Sequence, residues 1–230
     1  RYIDALEDAI PDGPPVLIDG DTVLSRDSFR AALLAAGAAC QAVDDIMSGK
    51  TRRAFCAVRP PGHHAGSANA EGFCLFNNVM IGALHAWSAH GAARVAILDF
   101  DVHHGNGTEA MTRLHEGIFY ASTHEWPLYP GTGDPARNIP GRIVNATLAA
   151  GDGSEAFRNA WSKNILPALD DYKPELVMIS AGFDAHRDDP LGGDLGGGGV
   201  IKKITGQIAS RGPIVSVLEA RLLVLIAERL

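Results

Sequence analysis

Two carboxylates and two imidazoles fall within six residues, Asp99-Phe-Asp101-Val-His103-His104, directly after the apolar run Val95-Ala-Ile-Leu98. The stretch from Ala93 to Phe100 has no polar face and reads as a strand buried on both sides of a parallel sheet. Side chains alternate along a strand, so Asp99, Asp101 and His103 leave it in roughly one direction. Carboxylates held this close repel unless a cation lies between them, and Asp-x-His offers that cation hard oxygen and borderline nitrogen. The plain alternative is a strand end whose charges face water. Such a corner seldom needs so many ligand-type side chains.

Two other segments point the same way. Arg59-Pro-Pro-Gly62-His63-His64-Ala65 follows the apolar run Ala54-Phe-Cys-Ala-Val58, and its Pro-Pro-Gly makes a stiff loop with two histidines at the tip. Adjacent histidines alone are more often a surface pair. Glu175-Leu-Val-Met-Ile179 reads as a third strand, ending in Ser180-Ala-Gly182-Phe-Asp184-Ala-His186. Glycine lets the chain turn there and leaves Asp184 at a strand's carboxyl end, where open α/β sheets bind ligands. Asp101, His103 and Asp184 then meet one ion, with His63 and His64 beside it. Three protein ligands and an open position describe a catalytic zinc site. Iron(II) suits the same ligands.

Taken together, these blocks, with Gly72-Phe73-Cys-Leu-Phe-Asn-Asn78, His104-Gly-Asn106-Gly107 and Ser122-Thr-His124-Glu-Trp-Pro-Leu-Tyr129-Pro-Gly-Thr-Gly133, resemble the histone deacetylase family in its class II-like bacterial branch. The match runs in order from about Tyr2 to Leu191. It implies a zinc-dependent amidohydrolase that removes acetyl or other acyl groups from lysine side chains or related amines, by attack of a zinc-bound water. The resemblance assigns zinc to Asp101, His103 and Asp184, the general base to His64, and an electrostatic, proton-donating role to His63. Asp99 stands behind His63 in the family pattern and Asn106 behind His64, each fixing a tautomer. Asparagine carries no charge, so His64 stays weakly basic, which suits proton abstraction near neutral pH. Phe73 and Tyr129 match the aromatic walls of the acyl-lysine channel, and the Gly72 carbonyl matches a substrate-amide acceptor. Core packing is the commoner fate of such aromatics. The resemblance also implies a structural potassium ion held through Asp99, Asp101, His103 and Ser122.

Departures from the family pattern matter as much. A Gly-Gly-Tyr, whose tyrosine helps stabilise the oxyanion, is expected after the last core strand. Here Pro213-Ile-Val-Ser-Val-Leu-Glu219 reads as that strand, and Ala220-Arg221-Leu222 follows. Losing one oxyanion donor costs on the order of a hundredfold in rate, so either catalysis is impaired or residues are missing. We expect the second, because the chain opens at Arg1 inside a predicted helix, and Leu195–Val200 and Glu219–Arg221 read as abrupt joins. The expectation is one deacetylase-like domain over residues 1–230, without its N-terminal segment and some loops. Members specialised for acetylpolyamines carry an acidic gatekeeper after an Asp-Pro; Asp189-Pro190 is followed here by Leu191. That favours acyl-lysine or a neutral acylated small molecule, with an acetylpolyamine substrate as the alternative. Asp21 aligns with a rim aspartate that holds the substrate backbone, or is simply a turn residue in Asp19-Gly-Asp21.

Composition bounds the rest. With 230 residues and 46% hydrophobic content, the chain can bury a substantial α/β core. A net charge of −7 without a basic cluster argues against direct nucleic-acid binding. No run approaches the ~18 apolar residues of a membrane span, and no signal peptide opens the chain. Cys40, Cys56 and Cys74 show no metal or disulfide spacing, so a reduced, cytoplasmic setting is expected. A homo-oligomer stays open. Cys74 is either a reactive thiol or, more plainly, a small buried hydrophobe.

The elements that must position these residues alternate along the chain. Helices are expected from Ser25 past Phe29, Leu33, Leu34 and Val43 to Gly49, from Asn77 or Asn78 to Gly91, and from Ser154 past Trp161. Pro167 should kink or break the last. Strands near 54–58, 93–100, 117–121, 175–180 and 213–218 imply a mostly parallel sheet with helices on both faces. This agrees with the arginase–deacetylase fold that the resemblance implies. Ureohydrolases of that fold need Asp-x-His-x-Asp for a second metal, and Gly105 stands at the last position. No Gly-x-Ser-x-Gly supports a serine hydrolase. A non-catalytic acyl-amine binder is the rival from another class.

Overall fold

The computed structural model describes residues 1–186 and 198–220. Six strands form the central sheet: β3 (Arg53–Cys56), β4 (Val95–Asp99), β5 (Ile118–Ser122), β6 (Ile143–Asn145), β7 (Leu176–Ala181) and β8 (Ile214–Leu218). Their order is β3-β8-β7-β4-β5-β6, and every pairing is parallel. A separate hairpin, β1 (Val16–Leu17) with β2 (Val23–Leu24), is antiparallel.

Burial on both faces explains the unbroken apolar strands. Ala96, Leu98, Phe119, Ala121, Val177 and Ile179 join one cluster, while Val95, Ile97, Ile118, Tyr120, Leu176 and Met178 join another. The strict alternation places the clusters on opposite sides of the sheet. Helix α2 (Ser28–Met47) and α3 (Asn78–His90) cover the second face. The first is covered by α5 (Ser154–Ala160), α6 (Leu166–Tyr172) and α7 (Gly198–Ala209). Two short helices complete the set: α1 (Tyr2–Asp8) and α4 (Asn106–Thr112).

Local details correct the sequence reading. Helix α2 starts three residues later than Ser25: the Ser25 N–H donates to Ser28 Oγ at 2.9 Å, and Asp27 takes the N-cap position without a side-chain bond. Its buried stripe is alanine-rich (Ala32, Ala35, Ala36, Ala39), whereas Leu33 and Leu34 are exposed. Small residues let α2 approach α3 closely. Of the two candidate caps for α3, Asn77 is the cap, its Oδ1 accepting from Met80 N at 3.0 Å. Pro167 does not end the third helical stretch. A π-helical turn over Trp161–Ile165 precedes it, and α6 resumes with the proline in its first turn, where no N–H is needed. Strand β6 and the hairpin were not anticipated. Of the suspected joins, Leu195–Val200 is described from Gly198 onward, within α7, and Glu219–Arg221 as far as Ala220.

The topology fixes where chemistry can occur. From β4 the chain winds one way through β5 to β6, then returns on the other side of β4 as β7 and β8. The carboxyl ends of β4 and β7, neighbours with Asp99 opposite Ser180, therefore flank a switch point.

Candidate metal centre and acyl pocket

Three loops meet at that edge. Beyond β4 come Asp101 and His103, and beyond β7 comes Asp184. Their ligating atoms lie within 4.8 Å of one another. His103 Nδ1 is 3.1 Å from Asp101 Oδ1 and 3.0 Å from Asp184 Oδ2. Backbone bonds aim both carboxylates: His103 N donates to Asp101 Oδ1 at 2.9 Å, and Val102 N donates to Asp184 Oδ1 at 3.0 Å. Gly182 makes this approach feasible, because a Cβ there would run into the Asp101 carboxylate.

Charge in the cluster is shared among its three side chains. Burial, reinforced by the Asp184 carboxylate, pushes Asp101 up to about 7. Burial would lower His103, but its bonds to Asp101 and Asp184 overrule this and raise it to about 10. Asp184 is held below the usual carboxylate range, burial notwithstanding, by His103 and the Val102 N–H. Protons thus sit among two carboxylates and an imidazole that together suit one dication. This oxygen–nitrogen donor set fits zinc.

The tip of the Pro-Pro-Gly loop adds two buried histidines whose rings lie 4.0 Å apart. His63 Nδ1 is 3.0 Å from Asp99 Oδ2, and His64 Nδ1 is 2.8 Å from Asn106 Oδ1. The pairs differ in charge, and the imidazoles follow. For His63, burial alone would lower the pKa, but the Asp101 and Asp99 carboxylates raise it to about 10. For His64, burial and the neighbouring His63 lower it to about 2. The carboxylate pairing favours the charged form of His63, whereas the neutral form is favoured for His64.

Phe73 and Tyr129 are not core residues. They are 56% and 42% exposed and line one cavity of about 420 Å³ with Asp21, Gly72, His63, His64, Asp101, His103 and Asp184. The Tyr129 ring meets His64 edge-on at 5.2 Å. Gly72 has φ +57°, and a Cβ there would press on His64 Cδ2 at 2.5 Å. Phe73 is left-handed too, at φ 65°, a strained choice for an aromatic that turns its ring towards the cavity. Its N–H donates to Thr22 Oγ1 at 3.1 Å, tying it to the Asp19–Thr22 turn. Asp21 is a turn residue, its N–H donating to Asp19 Oδ1, and it also lines the cavity. Cys74 is fully buried, its thiol 3.2 Å from the Gly72 carbonyl and pushed well up by burial, as suits a small hydrophobe. Ser122 pairs with Asp99 in the sheet register. Leu191 lies outside the described residues, as does the chain after Ala220.

Three residues were missed. Glu219 is buried, and its Oε2 accepts from Gly62 N at 2.6 Å and His63 N at 3.0 Å, while Ser180 Oγ donates to Oε1 at 3.0 Å. Arg59 lines the cavity and donates to the Glu219 carbonyl at 3.0 Å. Glu71 Oε1 accepts from Asn106 Nδ2 at 3.0 Å. Their partners are distant in sequence, so only the position of Glu219 at a strand end could have drawn attention.

Comparison with known proteins agrees with this geometry. A family model described as the histone deacetylase domain matches residues 1–219. The chain is 42% identical over 222 residues to type-2 histone deacetylase 2 of Dictyostelium discoideum, covering 86% of this chain and 13% of that one. It is 37% identical over 176 residues to the histone deacetylase-like amidohydrolase of Pseudomonas aeruginosa, covering 74% and 46%. Among solved structures, the HD domain of HDA15 superposes with a TM-score of 0.90 at 36% identity, over 96% of this chain and 66% of that one. The chain thus spans only part of the length of the relatives it matches. With its sheet order, buried histidine pair and almost its whole length accounted for by one domain type, the chain belongs to the histone deacetylase family.

Proposed function

We propose that this chain forms the catalytic domain of a zinc-dependent amidohydrolase acting on acylated lysine side chains or related acylated amines. The observation that carries the reading is the convergence of Asp101, His103 and Asp184 beside the Asp99-paired His63 and the Asn106-paired His64 at the floor of an aromatic-walled cavity. Zinc held by those three side chains would lower the pKa of a water molecule and polarise the acyl carbonyl. Phe73 and Tyr129 clasp the apolar stem of the acyl-amine, and the Gly72 carbonyl accepts its amide N–H. His64, donating through Nδ1 to Asn106, keeps Nε2 as the acceptor for a proton from the attacking water. His63, held cationic by Asp99, faces developing negative charge and supplies a proton to the departing amine. Asp99 and Ser122, adjacent across the sheet, would hold a potassium ion together with Asp101 and His103. Iron(II) would serve the zinc ligands equally.

The test is turnover of an acetyl-lysine reporter peptide, with and without a chelator, alongside acetylated polyamines. We expect chelator-sensitive hydrolysis, strongest on the peptide because no acidic gatekeeper follows Asp189-Pro190. His64→Ala should abolish turnover and keep zinc content, and Asp184→Ala should lose both. Binding of the reporter without hydrolysis would instead favour the acyl-amine binder, the reading that the Ala220-Arg221 departure supports.

A further inference from the structure

Among the described residues, two groups bring three metal-ligating atoms together: the cluster above, and Asp44, His85 and His90. The second has no part in the acyl pocket. Asp44 lies on α2, and both histidines lie on α3. That helix begins beside the catalytic loop, where Asn77 Nδ2 donates to the Ala65 carbonyl at 3.1 Å. It then runs about 18 Å to His90, at a rise of roughly 1.5 Å per residue. The cluster therefore sits at the opposite, amino-terminal edge of the sheet.

Its geometry is that of a donor set aimed at one point. His85 Nε2 and His90 Nε2 each lie 2.7 Å from the same oxygen, Asp44 Oδ1. The two rings are 5.5 Å apart and nearly perpendicular, at 83°. A hydrogen-bonded tie between helices needs one imidazole. Two imidazoles turned onto one carboxylate oxygen, from positions more than one helical turn apart, also make a coordination shell. The catalytic cluster provides an internal comparison. Its donors stand 3.0–3.1 Å apart, against roughly 3.4 Å in a tetrahedral site with bonds near 2.1 Å. Asp44, His85 and His90 need only slightly more opening. They have the freedom for it, being 45%, 29% and 27% exposed.

The surroundings favour a cation. His90 occupies the last turn of α3, before Gly91 closes the helix in a left-handed cap, so the negative end of the helix dipole faces the cluster. The adjacent Lys50 ammonium pairs with Asp45 instead of Asp44. Two imidazoles and one carboxylate select a borderline first-row dication over magnesium or calcium. Partial exposure leaves room for water to complete the shell.

We propose that Asp44, His85 and His90 form a second, surface metal site for zinc or a similar transition-metal dication, clamping α2 to α3. The measurement is calorimetric titration of the metal-free full chain with Zn²⁺, with Mg²⁺ as the competing hard ion. Wild type should take up two equivalents of zinc, and His85→Ala/His90→Ala should take up one and retain its fold by circular dichroism. Asp184→Ala should also retain one equivalent, and the variant combining all three changes none. Excess Mg²⁺ should leave the surface equivalent in place. If the paired histidine change disturbs folding, Asp44→Asn, which keeps the shape and an acceptor oxygen, should still weaken that equivalent at least tenfold. The proposal is overturned if Asp184→Ala binds no zinc, if adding the histidine changes to it leaves binding unaltered, or if Mg²⁺ displaces the ion.

Discussion

Glu71 decides which way Asn106 faces. Its Oε1 lies 3.0 Å from Asn106 Nδ2, and a carboxylate can only accept, so the amide nitrogen must point to it. Asn106 Oδ1 is then left for His64, which must donate through Nδ1. The acceptor nitrogen of His64 is thereby turned to the cavity. Replacing Glu71 by Lys, which can only donate, turns the Asn106 oxygen towards it, leaves the amide nitrogen facing His64 and so places the proton on the wrong nitrogen. Steady-state kinetics on an acetyl-lysine reporter should show kcat falling by roughly 10–100-fold with KM little changed.

Asn106→Asp should act through charge. A carboxylate behind His64 stabilises its protonated form, so the base is occupied until higher pH. The acidic limb of the pH–rate profile should move upward by about a unit or more. An unmoved limb would show that His64 is not the base.

Glu219 supports the histidine loop through three buried donors: Gly62 N, His63 N and Ser180 Oγ. Glu219→Ala leaves them without partners, at roughly 1–3 kcal/mol each, and thermal denaturation should show a large fall in Tm. Glu219→Gln keeps an oxygen for the two N–H groups and an amide to donate to Ser180. It should therefore recover most of that loss.

At Gly182 the prediction is local. The methyl of Gly182→Ala would collide with the Asp101 carboxylate and with its backbone Cα at 2.6 Å, so the loop after β4 must shift and the donor set is spoiled. Zinc content and turnover should fall together, with a lowered Tm of the metal-free protein.

Acid sensitivity has an identifiable source at Glu109. Burial would raise Glu109, but bonds from His104, Asn145 and Arg113 hold it near about 2, against an ordinary 4.5. A carboxyl depressed in the folded state stabilises the fold above the higher value, and that contribution is lost as pH falls towards the lower. Chemical denaturation between pH 5 and pH 3, by the carboxylate range, should show a flatter decline in Glu109→Gln than in wild type.

What could be read from the sequence was whatever leaves a local trace. The apolar runs ending in Asp99 and Ser180 announce strands, and the dense ligand residues that follow them announce a site. Three-residue β6 carries too little pattern to be seen. Ser25 looks like a helix cap, yet Ser28 competes for its N–H. Glu71 and Glu219 were invisible because what they hold is brought to them by tertiary structure: Glu219 meets Gly62 across 157 positions. Pro167 suggested a kink or break, but it follows a π turn and sits in the first turn of α6, where the helix continues.

The split origin of the metal cluster has a consequence for biosynthesis. His103 and Asp184 are 81 residues apart and meet only because β7 docks alongside β4. No fragment emerging early carries more of this centre than the bidentate Asp-x-His, and the histidine loop lacks its Glu219 partner until β8 has docked. Long-range closures of this kind come late in folding. The three-ligand centre is therefore completed only with the sheet.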